Sequence, residues 1–217
     1  MKKRSLQIRL LAMGLSMAIV VTTAPFSFAQ TMNASPLGSI VTTGSVAIGN
    51  VSAPTGTTIF TGDRIDSTQT SAIRFNGGSR IAITNASATF DREGEALVIN
   101  AEKGLLNFYF TEGQSVQIAA AQYVFTGNGG QAVSGSLGVN PEGQLVMNVE
   151  EGVLMALNTA TGARTQVAAG KTVDNTGTVV DAGLSGAEKA ALVAGIAGAG
   201  VIIGVGIYNA GKSPSNR

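Results

Sequence analysis

Glu93-Gly94-Glu95-Ala96-Leu97-Val98-Ile99-Asn100-Ala101-Glu102-Lys103-Gly104-Leu105-Leu106-Asn107-Phe108-Tyr109-Phe110-Thr111-Glu112-Gly113, residues 93–113, decides the fold. Glycines at 94, 104 and 113 bracket two apolar runs. In the second, Leu106, Phe108 and Phe110 alternate with Asn107 and Tyr109. A period of two sends alternate side chains to opposite faces of a strand, which is the pattern of a half-buried sheet. Turn glycines recurring this fast leave no room for a helix of ordinary length.

The same spacing extends outward. Glycines at 143, 152, 162, 170 and 177 are again seven to ten residues apart, and strands of five or six residues fit between them. Alternation recurs in Ile73-Arg74-Phe75, Ile81-Ala82-Ile83, Leu97-Val98-Ile99, Val116-Gln117-Ile118 and Leu145-Val146-Met147-Asn148-Val149. Asn76-Gly77-Gly78, Glu93-Gly94, Asn128-Gly129-Gly130 and Pro141-Glu142-Gly143 supply residues that tolerate positive φ and so predict turns. No helical pattern separates the strands, so parallel βαβ units are not expected. The expectation is an all-β domain over residues 44–181, either a Gly-rich sandwich or jelly roll, or a short rolled β-solenoid.

Both ends have a different character. Lys2, Lys3, Arg4 and Arg9 form a basic head, Leu10 to Val21 an apolar run, and Ser27-Phe28-Ala29 a small-residue cleavage site. This is the plan of a secretory signal peptide over residues 1–29, with Gln30 as the first mature residue. The apolar run is shorter than the roughly 20 residues a bilayer span needs. The chain has no Cys, which closes both the lipoprotein route and disulfide formation. Residues 30–43, polar or small and interrupted by Pro36, read as a flexible leader.

At the other end, Ser185-Gly186-Ala187-Glu188 is a capping box that starts a helix over 185–208. Ala190 to Tyr208 carries no charge and as a helix is about 28 Å long, close to the ~30 Å of bilayer hydrocarbon. A membrane anchor is the leading expectation, and a helix packed on the β domain is the alternative. Gly195, Ala199, Gly200 and Gly204 form a row of small residues through which two such helices could pair as a homo-oligomer. Residues 209–217 form a tail.

Removing the signal peptide leaves 10 basic against 13 acidic groups, a formal charge of −3. That balance lacks the basic stripe of a nucleic-acid binder. With no His and no Cys, imidazole bases, Ser-His and Cys-His dyads and N- or S-ligated zinc are excluded. Paired carboxylates remain as metal ligands or hydrolytic groups. Asp91, Glu93 and Glu95 share a face on a strand, but they straddle Gly94 at a hairpin tip, where solvated charges are ordinary. Glu150-Glu151 likewise precedes a turn glycine, and Ser79 with Lys103 or Lys171 is the remaining dyad. The expectation is no enzyme, no cofactor and no metal.

Gly44-Ser45-Val46, Gly62-Asp63-Arg64-Ile65, Ser71-Ala72-Ile73-Arg74-Phe75, Gly78-Ser79-Arg80-Ile81-Ala82-Ile83, Glu151-Gly152-Val153 and Val167-Ala168-Ala169-Gly170-Lys171 occur in an order that resembles the FecR-like domain of bacterial envelope proteins. Gly44, Gly62, Asp63, Gly78, Ser79, Gly152 and Gly170 carry the resemblance, and each also suits a tight turn. The best-known members sense a signal from an outer-membrane transporter and control a sigma factor through a cytoplasmic N-terminal segment. Here the signal peptide takes that segment's place. The resemblance therefore implies an exported, non-catalytic binding or scaffold module of the periplasm or cell envelope, with an envelope protein or cell-wall polysaccharide as partner. A self-assembling structural envelope protein and a carboxylate-based hydrolase are the alternatives.

Overall fold

A computed structural model describes residues 34–41 and 45–181. The expected signal peptide, most of the leader, Gly44, the C-terminal helix with its Gly195, Ala199, Gly200 and Gly204 row, and the tail lie outside the described residues. Within them the chain forms strands and no helix, as the turn spacing predicts. All the strands join one open, mixed sheet.

The sheet has two wings that share one long hairpin. In the first wing the order is β4 (Thr58–Phe60), β1 (Pro36–Ile40), β6 (Ser71–Phe75), the start of β7 (Arg80–Glu93), the end of β8 (Ala96–Phe110), β11 (Val133–Val139), β12 (Leu145–Glu151), β15 (Lys171–Asp174) and β16 (Val179–Asp181). In the second it is β3 (Val51–Ser52), β2 (Val46–Ile48), β5 (Asp63–Ser67), the end of β7, the start of β8, β9 (Val116–Ala120), β10 (Tyr123–Gly127), β13 (Val153–Asn158) and β14 (Arg164–Ala168). The β8–β9 pairing is parallel and the other described pairings are antiparallel.

Strands of 14 and 15 residues replace the five or six expected around Gly104. Gly104 does not end a strand; it is the elbow of one. The β7–β8 register slips between Thr84 and Ala88, Asn85 takes φ +46° and Gly104 φ +93°. A Cβ at Gly104 would collide with the carbonyl oxygen of Asn85 and with Ala86. A bulge bends the hairpin there, and only glycine lets the two backbones meet.

The bend folds one wing over the other. Phe75 of the first wing and Phe90 of the second pack with ring centroids 5.6 Å apart, and the inward residues of both wings form one hydrophobic cluster. Within the expected leader, Pro36–Ile40 is a strand with Leu37 and Ile40 fully buried, so that part of it is not a flexible segment. Pro36 sits at its first position, where the missing N–H costs little. Gly38 admits the backbone of Arg74 at a distance no Cβ would allow.

Alternation also fails in an informative place. Across the middle of the first wing, a group of side chains facing away from the core is buried as well. Asn107, Ser136, Asn148 and Thr172 lie in one register row across β8, β11, β12 and β15 and are 7%, 0%, 4% and 2% exposed. Ala82, Leu105 and Val146 flank that row, are also buried, and do not belong to the core cluster.

Candidate functional site

Alternation along β10, β13 and β14 places Thr126, Met155 and Gln166 in one outward row, since Thr126 pairs with Met155 and Met155 with Gln166. The turn Asn128-Gly129-Gly130 closes one end of this row. Its Asn128 Oδ1 accepts from the Gly130 N–H at 3.0 Å, and Gly129 takes φ +76° against the backbone of Gln114 and Ser115. Between row and turn lies a half-open groove of about 480 Å³, lined by Thr126, Gly127, Asn128, Gly130, Gln131, Val153, Met155 and Gln166. Gly127 forms the floor; a side chain there would press on Val116 and Leu154. Met155 is 41% exposed and is the apolar platform of the groove. Carboxamides and a thioether with no ionisable lining group can hold a neutral polar ligand by hydrogen bonds and apolar contact; they cannot move protons.

No sequence motif marked this groove. Its signal was the alternation itself, which sends Met155 outward, together with the Asn-Gly-Gly turn.

The residues singled out from sequence do not converge on one place. Gly62 (φ +87°) turns between β4 and β5, with its N–H on the Phe90 carbonyl at 2.8 Å, and Asp63 Oδ2 accepts from the Phe60 N–H at 2.8 Å. Gly78 (φ +91°) precedes β7, and the buried Ser79 hydroxyl lies 3.3 Å from the Thr111 hydroxyl and accepts from the Thr111 N–H at 3.2 Å. Lys103 stands opposite Ser87 at the elbow and Lys171 pairs with Asp181 at 2.5 Å, so the Ser79 dyad is not assembled. Gly152 (φ +81°) sits where a Cβ would strike the Ala132 carbonyl, whereas Gly170 (φ +75°) faces open space. Glu93 and Glu95 flank Gly94 at the β7–β8 turn, and Asp91 bonds the adjacent Arg92 N–H at 2.7 Å. Among the described residues no three carboxylates are grouped to hold a metal ion. Glu150 stands at the bulge opposite Ser134 and Gly135, where burial pushes its carboxyl pKa up.

Beside the elbow, the sheet register assembles a cluster that the sequence separates. Arg64 reaches Asp66 at 3.2 Å and Glu102 at 2.7 Å, and the buried Ser87 hydroxyl donates to Asp66. The Ser87 bond is the largest influence and holds the Asp66 carboxyl below its ordinary value; burial opposes it, and the Arg64 guanidinium adds to the lowering. A carboxylate so stabilised is a weak base, and a buried hydroxyl meets no substrate, so the cluster braces the bend rather than activating Ser87. Because the folded pKa is depressed, this contribution is present above the unfolded carboxylate pKa and is lost as pH falls through the folded value. Asp66→Asn should cost about 1 kcal/mol at neutral pH and flatten the acid limb of a stability–pH curve measured by urea unfolding. An acid limb as steep as that of the unmodified chain would remove Asp66 from this role.

Fold and groove together define an all-β protein with a neutral surface groove. No protein-family model matches the chain, and no curated protein matches it.

Proposed function

We propose that the chain is an exported, non-catalytic binding or scaffold module of the bacterial cell envelope, a FecR-like Gly-rich β-sandwich whose outer groove receives part of an envelope protein or cell-wall polysaccharide. The observation that carries this reading is the groove over β10, β13 and β14, which offers amide, hydroxyl and thioether groups and no proton-transfer group. The basic head and the Ser27-Phe28-Ala29 site support export. The sheet edges favour binding over self-assembly. β3, β4 and β16 have two or three residues each, and five-residue β14 carries Arg164, so each edge is a poor template for runaway strand pairing.

The test uses protein recovered from the envelope fraction, expected to begin at Gln30, and the variant Met155→Arg. Retention on purified cell-wall sacculi and cross-linking to envelope proteins are measured separately, so the two partner classes are told apart. The variant should lose at least about tenfold in whichever assay captures the unmodified chain, as expected for a charge placed on a central apolar anchor. Equal retention by both chains in both assays would remove the groove from the function.

A further inference from the structure

At the rim of the groove, one row of main-chain hydrogen-bonding groups on β14 is turned away from the sheet. In an antiparallel pair, residues that exchange hydrogen bonds alternate with residues that do not. The Asn158 N–H donates to the Ala163 carbonyl and the Ala169 N–H to the Gly152 carbonyl, each at 2.9 Å, and these two bonds bracket the β13–β14 ladder. They fix its parity. Thr165 and Val167 direct their N–H and C=O groups at β13, so those of Arg164, Gln166 and Ala168 point to the other side. Among the described strands β14 pairs only with β13, and Arg164 and Gln166 are exposed. Gln166 also lines the groove, as the last member of the outward row Thr126, Met155, Gln166.

We propose that β14 takes up an extended segment of a protein partner as one further strand, with an alternate side chain of that segment seated at the mouth of the groove. This rests on the binding function given above and specifies the form of the partner, a peptide in β conformation and not a glycan. Donors and acceptors repeating every second residue along an edge match the main chain of an extended peptide, which presents both groups at the same period. A glycan carries hydroxyls but no such ladder. An antiparallel segment opposite Arg164, Gln166 and Ala168 makes about six main-chain hydrogen bonds. Its residues opposite those three share their outward face, and the one opposite Gln166 continues the row that runs into the groove. The carboxamide of Gln166 and the thioether of Met155 suit a neutral side chain there. Charge selects its neighbour. Arg164 is exposed and no carboxylate partners it among the described residues, so an Asp or Glu opposite it is favoured. Length sets the extent, because five residues accept one short strand and are too few for runaway pairing.

The probe is a library of random octapeptides displayed on phage and selected on the full chain, with the enriched sequences then made as synthetic peptides. Methylating single main-chain nitrogens of such a peptide should weaken binding at least about tenfold at every second position and little in between. Amide exchange at Gln166 should slow at least about tenfold in the complex, because its outward N–H gains an acceptor. Gln166→Pro deletes only that outward N–H, which an edge strand tolerates, and should weaken binding at least about tenfold. No enrichment, a methylation profile without a period of two, unchanged exchange at Gln166, or equal binding by the unmodified and Gln166→Pro chains would each overturn the proposal. So would a dimer in size-exclusion chromatography that Gln166→Pro dissociates, since the occupant would then be a second copy. Should Gln166→Pro fail to fold, the methylation scan and the exchange measurement decide on the unmodified chain. Failure of the groove reading looks different. Sacculus retention lost in Met155→Arg and kept in Gln166→Pro overturns the added strand and leaves the groove function standing, whereas peptide binding lost in Gln166→Pro and kept in Met155→Arg supports the strand and removes the groove.

Discussion

Gly104→Ala should destabilise the fold by about 3 kcal/mol or more. A Cβ at φ +93° pays a conformational penalty and also meets the Asn85 carbonyl and Ala86 across the hairpin, and backbone atoms cannot step aside as a flexible side chain could. For a domain of this size the midpoint of thermal unfolding should fall by about 6–12 °C. Gly94→Ala is the matched control. It shares a positive φ, +61°, at the tip of the same hairpin but has nothing within 4 Å of the new Cβ, so about 1 kcal/mol is expected. Equal losses at the two positions would mean that the elbow is not a point of enforced contact.

Phe90→Ala should cost about 3–5 kcal/mol in urea unfolding, the range for deleting a fully buried aromatic ring. Phe90 meets Phe75 across the two wings and sits opposite Ile99 in the shared hairpin, so its removal opens a cavity between the layers as well as within one. Phe60, on edge strand β4 and 39% exposed, gives the comparison; Phe60→Ala should cost less than about 1 kcal/mol. Similar losses for the two rings would show that the wings do not depend on the Phe75–Phe90 contact.

Much of the strand content was legible because it is written locally. Alternation in Val116-Gln117-Ile118 or Leu145 to Val149 follows from a geometry that each strand carries by itself, and the turns at Asn76-Gly77-Gly78 and Pro141-Glu142-Gly143 follow from positive φ and proline. What was not legible depends on partners. Gly104 has the spacing of a turn glycine, and its role as an elbow exists only because Asn85 and Ala86 arrive opposite it. Leu37 and Ile40 are too few to announce a strand, and β1 forms because β4 and β6 receive it on either side. The groove escaped notice for the same reason. Thr126, Met155 and Gln166 lie up to 40 residues apart and become neighbours only through the pairing of three strands. Asp66, Ser87 and Glu102, each ordinary alone, are likewise joined by register.

The order in which strands attach suits a polypeptide that emerges one end first, as it would from a ribosome or a translocation pore. Every pairing made by β1 to β7 is satisfied by residue 110, and the β7–β8 hairpin then stands as a seed with an open flank in each wing. The hairpins β9–β10, β11–β12, β13–β14 and β15–β16 follow in turn, on alternate wings, and each finds its neighbour already in place. After the central hairpin each flank waits only for the next hairpin on its own wing, so assembly can keep pace with delivery.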